Sequence, residues 1–113
     1  MEAFDIAGLI AAQRESHKLY LEFLRVPALS AGLYVLPAGG EDPQQPHEED
    51  EVYYVLSGRA TIRVADDDRP VGAGSIVYVP AHVPHRFHTI EEDLSILVFF
   101  APAEADPIAG SGG

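Results

Sequence analysis

Three side chains at defined gaps offer the clearest chemistry in this chain: His47, Glu51 and His85. Two imidazole nitrogens and a carboxylate oxygen suit a divalent transition metal such as Fe(II), Mn(II), Ni(II) or Zn(II). Gln45, two positions before His47, adds a neutral amide oxygen as a candidate fourth ligand, weaker than imidazole toward late transition metals. Two outcomes stay open for it. It coordinates, or it stands back and hydrogen-bonds a metal-bound water, leaving a 2-His-1-carboxylate set with open positions. In a third outcome the metal is lost and the pocket binds an organic ligand unaided.

Each residue also has a plain structural reading. His47 follows Pro46 and fits a loop histidine. Glu51 ends the run Glu48-Glu49-Asp50-Glu51, which fits a solvated turn, and His85 fits a satisfied core histidine. Their joint spacing favours a common site. Side chains alternate faces along a strand, so Gln45 pairs with His47, Glu51 with Tyr53 and Val55, and His85 with Phe87 and Thr89. A carboxylate and two imidazoles turned into an apolar interior are costly unless paired or metal-bound. Tyr53, Val55 and Phe87 would wall such a site, and Tyr53 is the candidate for a catalytic acid–base role beside the ligands. Of the other histidines, His82 falls in a turn at the mouth or on the surface, His88 has the outward parity, and His17 ends a helix at the surface.

Those residues must be held by strands. The stretch 5–16 reads as a helix capped by Asp5, with Ile6, Leu9, Ile10 and Gln13 on one face. After it come short apolar segments: LYLEFLRV, AGLYVL, EVYYVL, ATIRV, SIVYV, PHRFHTI and LSILVFF. Ser57-Gly58, the Asp66-Asp67-Asp68 run, Gly72 with Gly74 and Glu91-Glu92-Asp93 are the turn signals between them. Many short strands with regular turns indicate an all-β sandwich or barrel behind a short N-terminal helix. The expected division is a helical segment over 1–17, a barrel over 18–101 and a flexible tail over 102–113. The last strand is apolar on both faces, which calls for a second layer or a second subunit and points to a homodimer.

Composition narrows the class. A chain of 113 residues makes one domain with a modest core. Seven basic against eighteen acidic side chains give a net charge of −11, which repels phosphate backbones and anionic lipid. Neither nucleic acid nor membrane is therefore an expected partner. There is no cysteine, which removes disulfides and thiolate chemistry and suits the cytoplasm. The N-terminus carries Glu2 and Asp5 and no basic region, unlike a secretory signal.

The spacing resembles the cupin family. The first cupin motif, Gly, five residues, His-x-His, three or four residues, Glu, six residues, Gly, is matched by GEDPQQPHEEDEVYYVLSG with Gln45 at the first histidine. The second, Gly, five residues, Pro-x-Gly, two residues, His, three residues, Asn, is matched by GSIVYVPAHVPHRFHT. There His82 replaces the glycine and Thr89 the asparagine. The resemblance covers about residues 30 to 101 and implies a double-stranded β-helix, or jelly-roll barrel, with a metal inside it. It also implies a small-molecule ligand or substrate. Dioxygenase, isomerase and decarboxylase chemistry all fit. The alternatives are a binding module for a sugar or small acid with a vestigial metal site, and a structural dimer without turnover.

Overall fold

A computed structural model describes residues 1–43 and 46–105. Helix α1 (Ile6–Ser16) is followed by six strands: β1 (Tyr20–Val26), β2 (Leu29–Leu36), β3 (Asp50–Val64), β4 (Asp67–Gly72), β5 (Ile76–Val79) and β6 (His85–Ala101). All pairings are antiparallel, in the order β1-β2-β6-β3-β4, with β5, off this path, also paired to β3. This is the all-β architecture expected from the strand pattern and the jelly-roll that the resemblance implies. No helix among the described residues is long and apolar enough to cross a membrane.

Two of the expected turn signals lie inside strands. EVYYVL and ATIRV are one strand, β3, and PHRFHTI and LSILVFF are one strand, β6. The β3–β6 ladder slips register between Val55 and Thr61, so Ser57-Gly58 and Glu91–Asp93 bend the ladder rather than ending it. Gly58 has φ +95, and a Cβ there would lie 2.2 Å from the Asp93 carbonyl oxygen, so the two bent strands close on a residue without a side chain. The first part of β3 pairs with β5 and the end of β6; its second part pairs with β4 and the start of β6. One long ladder thus serves both layers.

The third departure is β4. The chain turns at Ala65, with φ 53, and Asp67 and Asp68 already belong to the strand. β4 lies at the end of the sheet path, where Pro70 and outward charges are tolerated.

The core alternates as a half-buried strand pattern requires. Tyr34, Leu36, Tyr53, Val55, Ile62, Phe87, Leu94, Ile96, Val98 and Phe100 form one interior cluster. Gly32 gives up its side chain to this interior: the Tyr20 phenol occupies the place a Cβ would take. Helix α1 packs on β1 and β2 through Leu9 and Gln13, and Gln13 Nε2 donates to the Lys18 carbonyl at 2.7 Å. Ile10 is half-buried and Ile6 exposed, so the docking face is narrower than the apolar pattern implied. Asp5 stands at the N-cap, but its side chain makes no capping bond.

Candidate metal centre

Bending the β3–β6 ladder places the start of both strands at one end of the interior. Glu51 is the second residue of β3, paired with Phe100 and with Val79. His85 opens β6 opposite Val64. His47 arrives from the segment before β3, with its carbonyl accepting a 2.7 Å bond from the His82 amide. All three side chains are buried, and one ligand atom from each lies within 4.8 Å of the others. Atoms sharing one ion at metal–ligand distances of about 2.0–2.2 Å must lie somewhat closer, so small side-chain movements complete the sphere.

The expected parity holds for Glu51, Tyr53 and Val55, and for His85 and Phe87, all buried. It fails at Thr89, which is exposed while Ile90 is buried. Thr89 has φ 50, and one left-handed residue reverses the face on which its successors lie. His82 is exposed with φ 68, and His17 is the exposed C-cap of α1. His88 takes part in a surface pair with Asp68 at 2.9 Å. Gln45 lies outside the described residues.

Ring chemistry at His85 decides what the cluster needs. Its Nδ1 is 2.8 Å from the Val83 carbonyl, which can only accept, so Nδ1 carries the proton. In the neutral ring Nε2 is then a bare lone pair, and Glu51 Oε1 stands 2.9 Å from it. Two acceptors face each other unless a proton or a metal cation joins them. Among the described residues neither Glu51 oxygen has a hydrogen-bond donor otherwise. Burial works against charging His85, but the Glu51 hydrogen bond and charge, the Val83 carbonyl and Asp42 outweigh it, and its pKa is raised.

Around the ligands the wall is aromatic. His47 meets Phe100 edge-on at 4.9 Å, and Tyr53 packs between His85 and Phe87 at 6.1 and 4.9 Å. Tyr34 donates to Asp42 at 2.6 Å, and Asp42 accepts the Phe87 amide at 2.9 Å, fixing the strand that carries His85. Burial, and then the charges of Glu104, Glu22 and Glu51, push the Tyr20 pKa up, so it remains a phenol. Its buried hydroxyl has no hydrogen-bond partner among the described residues.

Beside His85 a cleft of about 230 Å³ opens, lined by Pro46, Arg63, Ala65, Pro84 and Arg86. Arg63 and Arg86 stand directly opposite each other on β3 and β6. Arg63 holds Asp68 by two bonds of 3.0 and 2.8 Å, whereas Arg86 has no ion pair among the described residues.

The sequence profile of the cupin domain family matches residues 32–100, the span holding β3, nearly all of β6 and all three candidate ligands. The chain is a cupin. An uncharacterised protein of Streptomyces coelicolor is 50% identical over 105 residues, covering 93% of this cupin and all of that protein. The solved structure of TT1209 from Thermus thermophilus superposes with a TM-score of 0.74 at 27% identity, covering 91% of this cupin and 99% of that chain. The DMSP lyase DddQ from Ruegeria pomeroyi superposes with a TM-score of 0.63 at 28% identity. This cupin covers only 39% of that chain, and 67% of its own length is matched.

Sequence reasoning missed the buried Ser30, Glu49 and Glu104 and the buried hydroxyl of half-buried Tyr20. Glu49 was hidden in the acidic run, and Glu104 in the segment expected to be tail. Only Tyr20 carried a signal, since a tyrosine packed over a glycine across a strand pair marks a filled gap, but reading it requires the register.

Proposed function

We propose that this cupin is a small metalloenzyme holding one divalent transition metal, Fe, Mn, Ni or Zn, between His47, Glu51 and His85, with a small acid as its substrate. One observation carries the reading: buried His47, Glu51 and His85 each bring a ligand atom within 4.8 Å of the others. The donor set, two nitrogens and one carboxylate, suits these ions and leaves positions for a ligand. When bound, such a metal supplies Lewis-acid or oxygen-binding chemistry of the kind used by oxidoreductases, isomerases and decarboxylases.

The chain's own residues do the rest. Arg86 beside the cleft offers planar donors to the carboxylate of an entering acid, while Arg63 opposite it is held by Asp68. Phe87 and Phe100 exclude water from the inner wall, and Tyr53 is placed against His85 for an acid–base or positioning role. The similarity to a protein named as a lyase supports turnover over passive binding. Gln45 remains the proposed fourth ligand. The absence of cysteine fits action in the reducing cytoplasm.

We further propose a homodimer. On the outer sheet face Val52, Tyr78 and Phe99 share one cross-strand row, and Tyr54, Ile76 and Leu97 the next. Ile76 and Tyr78 are 71% and 58% exposed, an apolar face that a second copy would cover.

Elemental analysis of protein purified without chelator or metal-affinity resin tests the metal reading. Near-stoichiometric metal that disappears in His85→Ala and persists in His88→Ala is expected. Metal-free protein that takes up none of Fe(II), Mn(II), Ni(II) or Zn(II) would leave a non-catalytic binding module.

A further inference from the structure

After β6, residues 103–105 stay against the barrel. Ala103 donates to the Pro27 carbonyl at 3.3 Å, and the Glu104 amide donates to Ser30 Oγ at 2.9 Å. The Glu104 carbonyl accepts from the Arg25 guanidinium, and the Ala105 amide donates to Glu49 Oε2 at 3.0 Å. Four contacts with the β1–β2 hairpin and the loop before β3 thus fasten a segment that has no regular secondary structure. What they fasten is a carboxylate. Glu104 is 2% exposed, and its Oε2 lies 3.3 Å from Nδ1 of His47.

That placement is expensive without a purpose. Neither Glu104 oxygen makes a hydrogen bond among the described residues. Glu49 and Glu51 are buried nearby, at 6% and 1% exposure, so the same end of the barrel gathers three carboxylates around two imidazoles. Isolated buried carboxylates cost several kcal/mol each, in order of magnitude, unless a cation or a donor meets them. His47 Nδ1 is the one side-chain donor within reach of Glu104 that the described residues show. An imidazole has one proton to place when neutral; if Nδ1 holds it toward a carboxylate, Nε2 is left free to ligate.

We propose that Glu104 is the positioning carboxylate of the metal centre: it receives the Nδ1 proton of His47 and fixes that ring with Nε2 turned toward Glu51 and His85. The proposal rests on the metal reading of the site. It makes the segment after the last strand part of the centre, since the carboxylate reaches His47 only while Ser30, Arg25 and Glu49 hold the backbone behind it.

The test uses the full chain at pH 8 and two readouts on wild type, Glu104→Gln and Glu104→Ala. The first is the ring nitrogen shifts of His47 in metal-free protein, from long-range proton–nitrogen correlation. The second is Zn(II) affinity by competition with a chromophoric chelator. Wild type should show His47 with Nδ1 protonated. Glu104→Ala should give a mixture of tautomers and bind Zn(II) about 10- to 100-fold more weakly. Glu104→Gln keeps an acceptor oxygen and should restore the tautomer and most of the affinity. Ser30→Ala, which frees the backbone but keeps the carboxylate, should fall between wild type and Glu104→Ala. An unchanged His47 tautomer in a folded Glu104→Ala would overturn the proposal, as would unchanged Zn(II) affinity. Failure of wild type to bind any metal would instead sink the metal reading, and the tautomer measurement would still decide whether Glu104 holds His47.

Discussion

Replacing His82 by Gly and Thr89 by Asn should stabilise this cupin and leave its metal site intact. Both positions depart from the usual motif, and both have left-handed backbone, with φ 68 and φ 50. Left-handed geometry costs an L-residue roughly 1–2 kcal/mol, and a β-branched residue is the poorest choice for it. His82 is exposed, and the hydrogen bond from its amide to the His47 carbonyl needs no side chain, so glycine keeps it. Glycine also makes the unfolded chain more flexible, which takes back about 0.5–1 kcal/mol. The net gain for His82→Gly is therefore roughly 0.5 kcal/mol. Thr89→Asn gives up an exposed 3.0 Å contact with His88 Nδ1 but adds no backbone freedom, for a net gain of about 1 kcal/mol. Together the two should raise the melting temperature by roughly 5–10 °C. Urea unfolding should show a higher midpoint at an unchanged slope, with metal content equal to wild type. A double variant no more stable than wild type would refute the view that these motif positions are backbone requirements. Loss of metal from either variant would show that the side chains serve the site after all.

Two further outcomes follow from burial. Burial first, and then Glu49, Glu51 and Glu22, push the Glu104 pKa up to about 7 from 4.5, so the folded chain holds a proton that the unfolded chain releases. Stability of metal-free protein should then fall as pH rises from about 4.5 to 7, by roughly 3 kcal/mol at most, and Glu104→Gln should flatten that fall; an equally steep profile in the variant would contradict it. On the outer face, Tyr78→Glu should convert a dimer into a monomer in sedimentation at micromolar concentration with metal content preserved, and a monomeric wild type would remove the homodimer.

The candidate ligands are legible in the sequence because backbone geometry dictates their gaps. His47 must precede β3 by the length of one crossing, Glu51 must stand at the first inward position of that strand, and His85 must open the strand that pairs beside it. Strand parity carried the reading as far as Phe87 and failed at Thr89, since nothing in the residue type announces a left-handed threonine. β4 escaped for a related reason. An aspartate run reads as a turn, yet at an edge the outward side chains are solvated, Arg63 pairs with Asp68 across the ladder, and the strand persists.

Glu104 marks where local reading stops. It sits in a Pro- and Ala-rich stretch without periodicity, and a carboxylate there is solvated by default. Its burial is set by Arg25, Ser30 and Glu49, which lie 79, 74 and 56 positions away from the residues they hold. Burial raises the Glu104 pKa to about 7, so the interior does not repay the lost solvation of the carboxylate, and the His47 ring is the side-chain partner the described residues place beside it. The carboxylate that lies 3.3 Å from the His47 ring is thus one that no spacing rule would have singled out.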